Sequence, residues 1–216
     1  MQVIGDYQRN GYALVEGLLA REVCNAFLDQ FQRAVAKSGA ELSAFNNLSD
    51  VLKREAVEMY SYHFPPMLTL LWGLTPIAEQ VSGRTLLPSY SYFRIYREGD
   101  ILRVHSDRPS CEHSMSLTLD YSDGVPWDLE LARGDHAPSL RIEEDFGPEA
   151  PAALTMQPGD AVVYRGVQRR HGRTVPNPNG WSAHLFLHWV ERDGPYADHA
   201  FDKQAEIARP VNFSFR

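Results

Sequence analysis

Only two cysteines, Cys24 and Cys111, occur in 216 residues. A disulfide framework is therefore excluded as the basis of stability, and a reducing compartment, the cytoplasm, is the expected setting. No run of 18 apolar residues exists, so a membrane-spanning helix is not expected. The opening segment MQVIGDYQRN lacks the charged-then-apolar pattern of a secretory leader. Positive charge is in deficit: 21 Lys and Arg face 28 Asp and Glu, for a formal net charge of −7. That balance argues against general binding to nucleic acid or anionic membranes. Internal repeats and low-complexity linkers are also missing. One domain over residues 1–216 is expected, with room for a sizeable core.

What is present is a series of short apolar or alternating segments broken by Gly and Pro. Residues 89–96 (SYSYFRIY) are aromatic and suited to a strand. Arg97-Glu98-Gly99-Asp100 reads as a turn. Residues 101–104, 111–121, 126–131, 161–164 and 181–190 read as further strands, with Pro158-Gly159-Asp160 as a turn. Helical spacing predicts a helix over 20–38, where Val23, Ala26, Phe27, Phe31, Ala34 and Val35 recur on one face and Gly39 ends the run. Further helices are expected over 48–62 and 67–82, separated by an extended break at Phe64-Pro65-Pro66. Residues 133–153 are expected to form a hairpin or loop near the site. The segment after Pro195, with Phe213, Phe215 and Arg216, is expected to fold back on the body. The fold class implied is mainly β with flanking helices: a β-sandwich or jelly roll.

Within this frame, His105-Ser106-Asp107 stands out. Side chains at i and i+2 of an extended chain point to the same face, so His105 and Asp107 can reach one ion while Ser106 points away. His171 follows a turn-and-strand unit much later in the chain and suits a third ligand. Two imidazoles and one carboxylate form the facial set that leaves positions open on iron(II). The plain alternatives are a surface His–Asp pair and a loop histidine beside Arg169-Arg170. His184 and His188 alternate on the last strand and are rival third ligands, although packed core histidines is the simpler reading of both. His63, His113, His136 and His199 have no supporting pattern, and Cys111 reads as a small buried hydrophobe.

Three stretches carry a family resemblance. They are Arg94-x-Tyr96-x-x-Gly99-x-x-Leu102-x-x-His105-x-Asp107, then Gly159-Asp160-Ala161-Val162-Val163-Tyr164, then His171. Asn10 to Leu19 resembles the strand that opens many members. Together they resemble the iron(II)/2-oxoglutarate-dependent dioxygenases, nearest to the prolyl-4-hydroxylase-like branch, over roughly residues 7 to 192. The resemblance implies a double-stranded β-helix (cupin-like) over about 86–192, with N-terminal helices from about 20–82 packed on it. It implies His105, Asp107 and His171 as iron(II) ligands and catalytic centre. It also implies 2-oxoglutarate as cosubstrate, dioxygen as oxidant and ascorbate as a stimulant. The product is a hydroxylated C–H bond of a small molecule or peptidyl residue, with succinate and carbon dioxide. Because Asp107 is present, hydroxylation is expected rather than halogenation.

The family usually anchors the distal carboxylate of 2-oxoglutarate with Arg or Lys on the last core strand. Gly180-Trp181-Ser182-Ala183-His184 holds neither. The candidate replacements are Arg173 first, two residues after His171, then Tyr96 as a hydroxyl donor and Arg94 as a second cation, with His184 a further candidate if protonated. Arg108 and Glu112 are expected to face the substrate, and Trp127 to wall the pocket. Two other readings stay open: a cupin-like metal-binding module without oxygenase activity, and a triad enzyme that does not use 2-oxoglutarate.

Overall fold

The computed structural model describes residues 1–139, 141–204, 207 and 209–213. Two antiparallel sheets pack face to face. The major sheet has eight strands in the order β1-β2-β10-β7-β12-β5-β4-β3, and the minor sheet has four in the order β6-β11-β8-β9. Their ranges are β1 Gln2–Ile4, β2 Tyr12–Glu16, β3 Asn46–Asn47, β4 Ala56–Tyr60, β5 Leu86–Arg97, β6 Leu102–His105, β7 His113–Tyr121, β8 Leu129–Leu131, β9 Ala152–Leu154, β10 Ala161–Tyr164, β11 His171–Arg173 and β12 Trp181–Glu191. The three α-helices among the described residues, α1 (Tyr7–Asn10), α2 (Arg21–Ser38) and α3 (Pro66–Ser82), all come from the N-terminal part. This is the expected double-stranded β-helix with its helices outside.

The two faces of the major sheet differ in kind. Phe93 and Ile95 of β5, Met115 and Leu117 of β7, and Leu185 and Leu187 of β12 point outward into one apolar cluster with Phe27 and Phe31 of α2 and Met67 and Leu71 of α3. Phe31 lies 4.7 Å from Phe93 and 5.6 Å from Phe64, centroid to centroid. Burial of each such side chain is worth about 1.5–3 kcal/mol, and this layer is where most of the core lies. The inner face carries Ser114, Ser116 and Thr118 of β7, all buried. Opposite them in register stand His188, Phe186 and His184 of β12. A period of two therefore writes an oily outer face and a polar inner face into the same strands.

Two local devices fix the frame. Gly159 adopts φ +96, and a Cβ there would collide with the carbonyl of Leu19. Asp160 then accepts from the N–H groups of Gly17 and Gln157, each at 2.8 Å. That pair explains the Gly-Asp dipeptide as the staple seating β10 between β2 and β7. Helix α2 ends as expected, with Gly39 left-handed at φ 72.

Some expectations are corrected. The helix over 48–62 does not form: Ala56–Tyr60 is strand β4, paired to β5 as Val57↔Ile95 and Tyr60↔Tyr92. Its side chains alternate, Val57 and Met59 entering the outer core while Glu58 bonds Arg94 on the other face. Pairing and burial on two faces override a weak helical pattern. The break before α3 is not extended; Pro65 is helical (φ −51, ψ −28), and the helix starts at Pro66, because Pro is favoured in a first turn. On α2, Val23 is exposed, and Cys24, Phe27 and Phe31 form the buried stripe. The described residues of 133–153 are mostly irregular, with Glu143 bridged to Val104. The 3-10 segment Ala197–Lys203 folds back against β5 and β12. Phe213 is exposed, and Phe215 and Arg216 lie outside the described residues.

Candidate active site

The minor sheet brings the histidines together. Strands β6 and β11 pair with His171 opposite His105 and Arg173 opposite Leu102, and a bulge lies between these pairs. The extra residue on β6 lets Leu102 and His105 both face the cavity at an odd spacing. The strand ends at His105, and Asp107 follows it, held by its N–H donating to the carbonyl of Gly166 at 2.8 Å.

Asp107 Oδ1 lies 3.7 Å from His105 Nε2 and 3.5 Å from His171 Nε2. The three donor atoms lie within 4.8 Å of one another. Such separations leave room for one ion about 2.0–2.2 Å from each donor. The other nitrogen of each ring is already used: His105 Nδ1 is 2.7 Å from the carbonyl of Arg103, and His171 Nδ1 is 2.9 Å from that of Arg169. Each Nδ1–H donates to its carbonyl, and this leaves the Nε2 lone pair aimed inward, the tautomer a metal requires. On the far side of the carboxylate, Ser114 Oγ donates to Asp107 Oδ2 at 2.9 Å.

Charge follows the same geometry. Burial and the neighbouring His171 push His105 down to about 4. Burial also opposes charge on His171, but the carboxylate of Asp107, in contact with it, outweighs burial and raises it. Burial likewise opposes the charged Asp107, and the charge and hydrogen bond of His171 hold it well below the usual carboxylate range. His171 and Asp107 thus form the polar pair that a cation would complete.

Deeper in the cavity, Arg173 is 1% exposed. One terminal nitrogen donates to the carbonyl of Trp127, with the guanidinium 4.9 Å from the Trp127 ring centroid. The other terminal nitrogen is 3.5 Å from His184 Nδ1. Arg173 Nε and His184 Nε2 are buried with no hydrogen-bond partner. Burial, then Arg173 and Arg94, push His184 well below its ordinary value, so it is neutral and does not serve as a cation. Among the described residues no carboxylate pairs with Arg173. Tyr96 and Trp127 enclose this end, their rings at 5.0 Å. A buried guanidinium with orphaned polar atoms beside it fits the distal carboxylate of a dicarboxylic acid.

Arg94 differs. Its guanidinium is bonded to Glu58 and donates to Tyr96 Oη at 3.0 Å. Its charge is matched within the fold, and its role reaches the cavity through Tyr96. His188 is also neutral, pushed by burial to about 4, and its Nδ1 contacts Ser114 Oγ at 2.9 Å. It stands behind Asp107 rather than beside His105 and His171. Cys111 is buried, as expected, with its thiol 3.1 Å from Tyr90 Oη.

Sequence reasoning missed Gly166, Ser114 and Glu58. A Cβ on Gly166 would strike the Asp107 carboxylate and the Cys111 carbonyl, so any side chain there displaces the proposed ligand. The Ser-x-Ser-x-Thr alternation of 114–118 was the available signal for a polar inner face. Nothing in the sequence pointed to Glu58. Glu112 faces away from the proposed ligands, towards Glu191 and His113, contrary to expectation. A concavity of about 610 Å³, lined by Phe31, Val57, Ile95 and Trp181, lies on the outer face of the sheet and not at this site.

The fold and donor set together define a class, the double-stranded β-helix with a histidine–carboxylate centre at one mouth. No family model matches the chain, and no curated protein matches it in sequence. Solved structures match it in fold, among them enzymes described as α-ketoglutarate-dependent and an oxidoreductase of the 2OG-Fe(II) oxygenase family from Burkholderia pseudomallei. The non-haem α-ketoglutarate-dependent carbocyclase SnoK from nogalamycin biosynthesis is 15% identical, with a TM-score of 0.65, covering 87% of this chain and 82% of its own. A prolyl-4-hydroxylase from Pseudomonas putida is 15% identical at a TM-score of 0.57, covering 88% and 96%. HygX from Streptomyces hygroscopicus, solved with nickel, 2-oxoglutarate and hygromycin B, is 12% identical at 0.63, covering 87% and 85%.

Proposed function

We propose that this chain is a non-haem iron(II)- and 2-oxoglutarate-dependent dioxygenase that hydroxylates a C–H bond of a small molecule or peptidyl residue. The observation that carries the reading is the convergence of His105 Nε2, His171 Nε2 and Asp107 Oδ1, with a buried, carboxylate-free Arg173 two residues beyond His171. The fold shared with SnoK and HygX supports it.

In this reading His105, Asp107 and His171 hold iron(II), and Arg173 receives the distal carboxylate of 2-oxoglutarate. Tyr96 closes the wall beside it, kept in place by Arg94, whose charge Glu58 balances. Bound together, metal, cosubstrate and dioxygen supply the oxidation, releasing succinate and carbon dioxide. The protein supplies orientation and a dry cavity. Ser114 fixes the carboxylate plane of Asp107, and the carbonyls of Arg103 and Arg169 fix the tautomer and aim of both imidazoles. No helix among the described residues is long and apolar enough to cross a membrane. The two thiols, free and buried, suit a reducing cytoplasm, the compartment we assign.

The test is succinate formation from 2-oxoglutarate under air with iron(II) and ascorbate. His171→Ala should lower it about a thousandfold, since a metal supplies several kcal/mol of transition-state stabilisation. Arg173→Gln should keep metal binding and raise the KM for 2-oxoglutarate about thirtyfold or more, the cost of unpairing a buried ion pair. An unchanged KM in Arg173→Gln would remove Arg173 as the anchor, and absence of oxygen-dependent succinate from the wild type would remove the reading itself.

A further inference from the structure

Arg94, Arg173 and Arg108 lie on segments that build the site, and the first two have defined surroundings. Arg94 is neutralised by Glu58, and Arg173 is sealed in the deep end. The third, Arg108, follows Asp107 directly, so the residue that would hold the metal also positions it. Its side chain is about half exposed at 49%. The guanidinium lies 4.4 Å from the Tyr90 ring centroid, and Nε is 3.4 Å from Tyr90 Oη. Tyr90 is one of a group of near-parallel tyrosines. Its ring is 6.2 Å from that of Tyr92 and 6.3 Å from that of Tyr60. Tyr90 itself is buried and stacked on His188, and the group reaches solvent through Tyr60 and exposed Tyr62, whose rings stack at 5.6 Å. Arg108 therefore offers a carboxylate-binding fork beside an aromatic surface.

One carboxylate already occupies that fork. Asp202 Oδ1 accepts from Arg108 at 3.3 Å. Asp202 lies where Phe201, Asp202 and Lys203 all adopt left-handed backbone, with φ 53, 53 and 64. Each such residue costs about 1–2 kcal/mol. The segment is tied down just before this stretch by His199, whose Nδ1 is 2.9 Å from Ser110 Oγ and whose carbonyl accepts from Ser89 at 3.1 Å. A strained, half-exposed ion pair of this kind contributes little stability. It is suited to exchange for another carboxylate.

We propose that Arg108 is the specificity residue for the primary substrate, that this substrate is a carboxylic acid with an aromatic body, and that Asp202 holds the carboxylate position until substrate displaces it. The acid rests on the oxygenase reading only in being the molecule oxidised. Its binding is measurable without turnover.

The probe is phenylacetate against phenylacetamide, equal in shape and different in charge, titrated into the full chain by calorimetry or NMR. The wild type should prefer the acid at least about tenfold, the order expected of a charge-assisted hydrogen bond. Arg108→Gln should abolish the preference, Arg108→Lys should retain part of it, and Arg173→Gln should leave it intact. Asp202→Asn should tighten the acid severalfold by removing the internal competitor. Thermal melting of each variant confirms folding. A preference that survives Arg108→Gln, or is lost in Arg173→Gln instead, overturns the assignment. So does no preference in either the wild type or Asp202→Asn, and acid binding that is not tighter in Asp202→Asn removes the place-holding role. Succinate formation is scored separately. Acid binding through Arg108 without succinate would leave this site standing and remove the oxygenase reading. Succinate formation without it would do the reverse.

Discussion

Strand β5 serves two masters, and its two faces obey different rules. Phe93 and Ile95 face the helices and contribute through burial. Tyr92, Arg94 and Tyr96, one position out of step, face the cavity and interact through charge, ring contacts and hydrogen bonds. The outer face is redundant, because many apolar side chains share the load and each is replaceable at a cost. The inner face is not redundant: its polar atoms are held by specific partners, as Ser114 Oγ is by Asp107 and His188, and Arg173 Nε is left without one where a ligand is proposed to bind. Stability and chemistry are therefore carried by neighbouring residues on the same strand and should respond to substitution separately.

The sharpest break of that separation is on the outer face. Phe93→Ala should cost about 3–5 kcal/mol of stability, as large-to-small changes in packed cores do, read as a lowered denaturation midpoint. Enzyme that remains folded should keep its KM for 2-oxoglutarate. A large change in KM without loss of stability would show that the two faces are not separate.

Acid should attack through buried neutral histidines. Burial lowers His188 and His113 to about 4 each, against about 6.5 unfolded. The unfolded chain then binds more protons between those values, so stability is full above about pH 6.5 and is lost as pH falls towards 4. Each group contributes on the order of 3 kcal/mol by this linkage. Thermal midpoints measured from pH 7 to 4 should fall, and His188→Asn should flatten the fall. An equal slope in the variant would show that His188 is not the group that titrates.

The smallest of these effects lies on the inner side alone. Gly166→Ala should push the Asp107 carboxylate aside and weaken metal binding about 10–100-fold, the range for disturbing a ligand's supporting shell, while the major core is untouched. Titration with manganese(II) or cobalt(II) measures it. Unaltered affinity would mean that the contact relaxes elsewhere.

The same contrast explains what could be read from the sequence. That His105 and Asp107 share a face was legible from the two-residue period of an extended chain, whereas the approach of His171 to them comes from the pairing of β6 with β11. The strand over Ala161–Tyr164 matched its expected bounds because Gly159 and Asp160 frame it with their own chemistry. Ala56–Tyr60 was not legible as a strand, since its identity depends on pairing with β5, distant in sequence. Glu58 as the counter-charge of Arg94 and Gly166 as the backing of Asp107 were hidden for a related reason. Each acts through a contact between segments far apart in the chain, and no local pattern encodes it. The bulge that turns His105 inward is likewise a property of the pair β6–β11, not of either strand alone.

The central claim is that His105, Asp107 and His171 would hold one iron(II) ion and that Arg173 would receive the far carboxylate of the 2-oxoglutarate bound to it. Anaerobic addition of iron(II) and then 2-oxoglutarate tests it most directly. The account predicts a weak visible charge-transfer band that needs both additions, is lost in His171→Ala, and requires more 2-oxoglutarate in Arg173→Gln. Tight binding of one metal equivalent with no band at saturating 2-oxoglutarate would contradict it, and would leave a metal-binding module on the same fold.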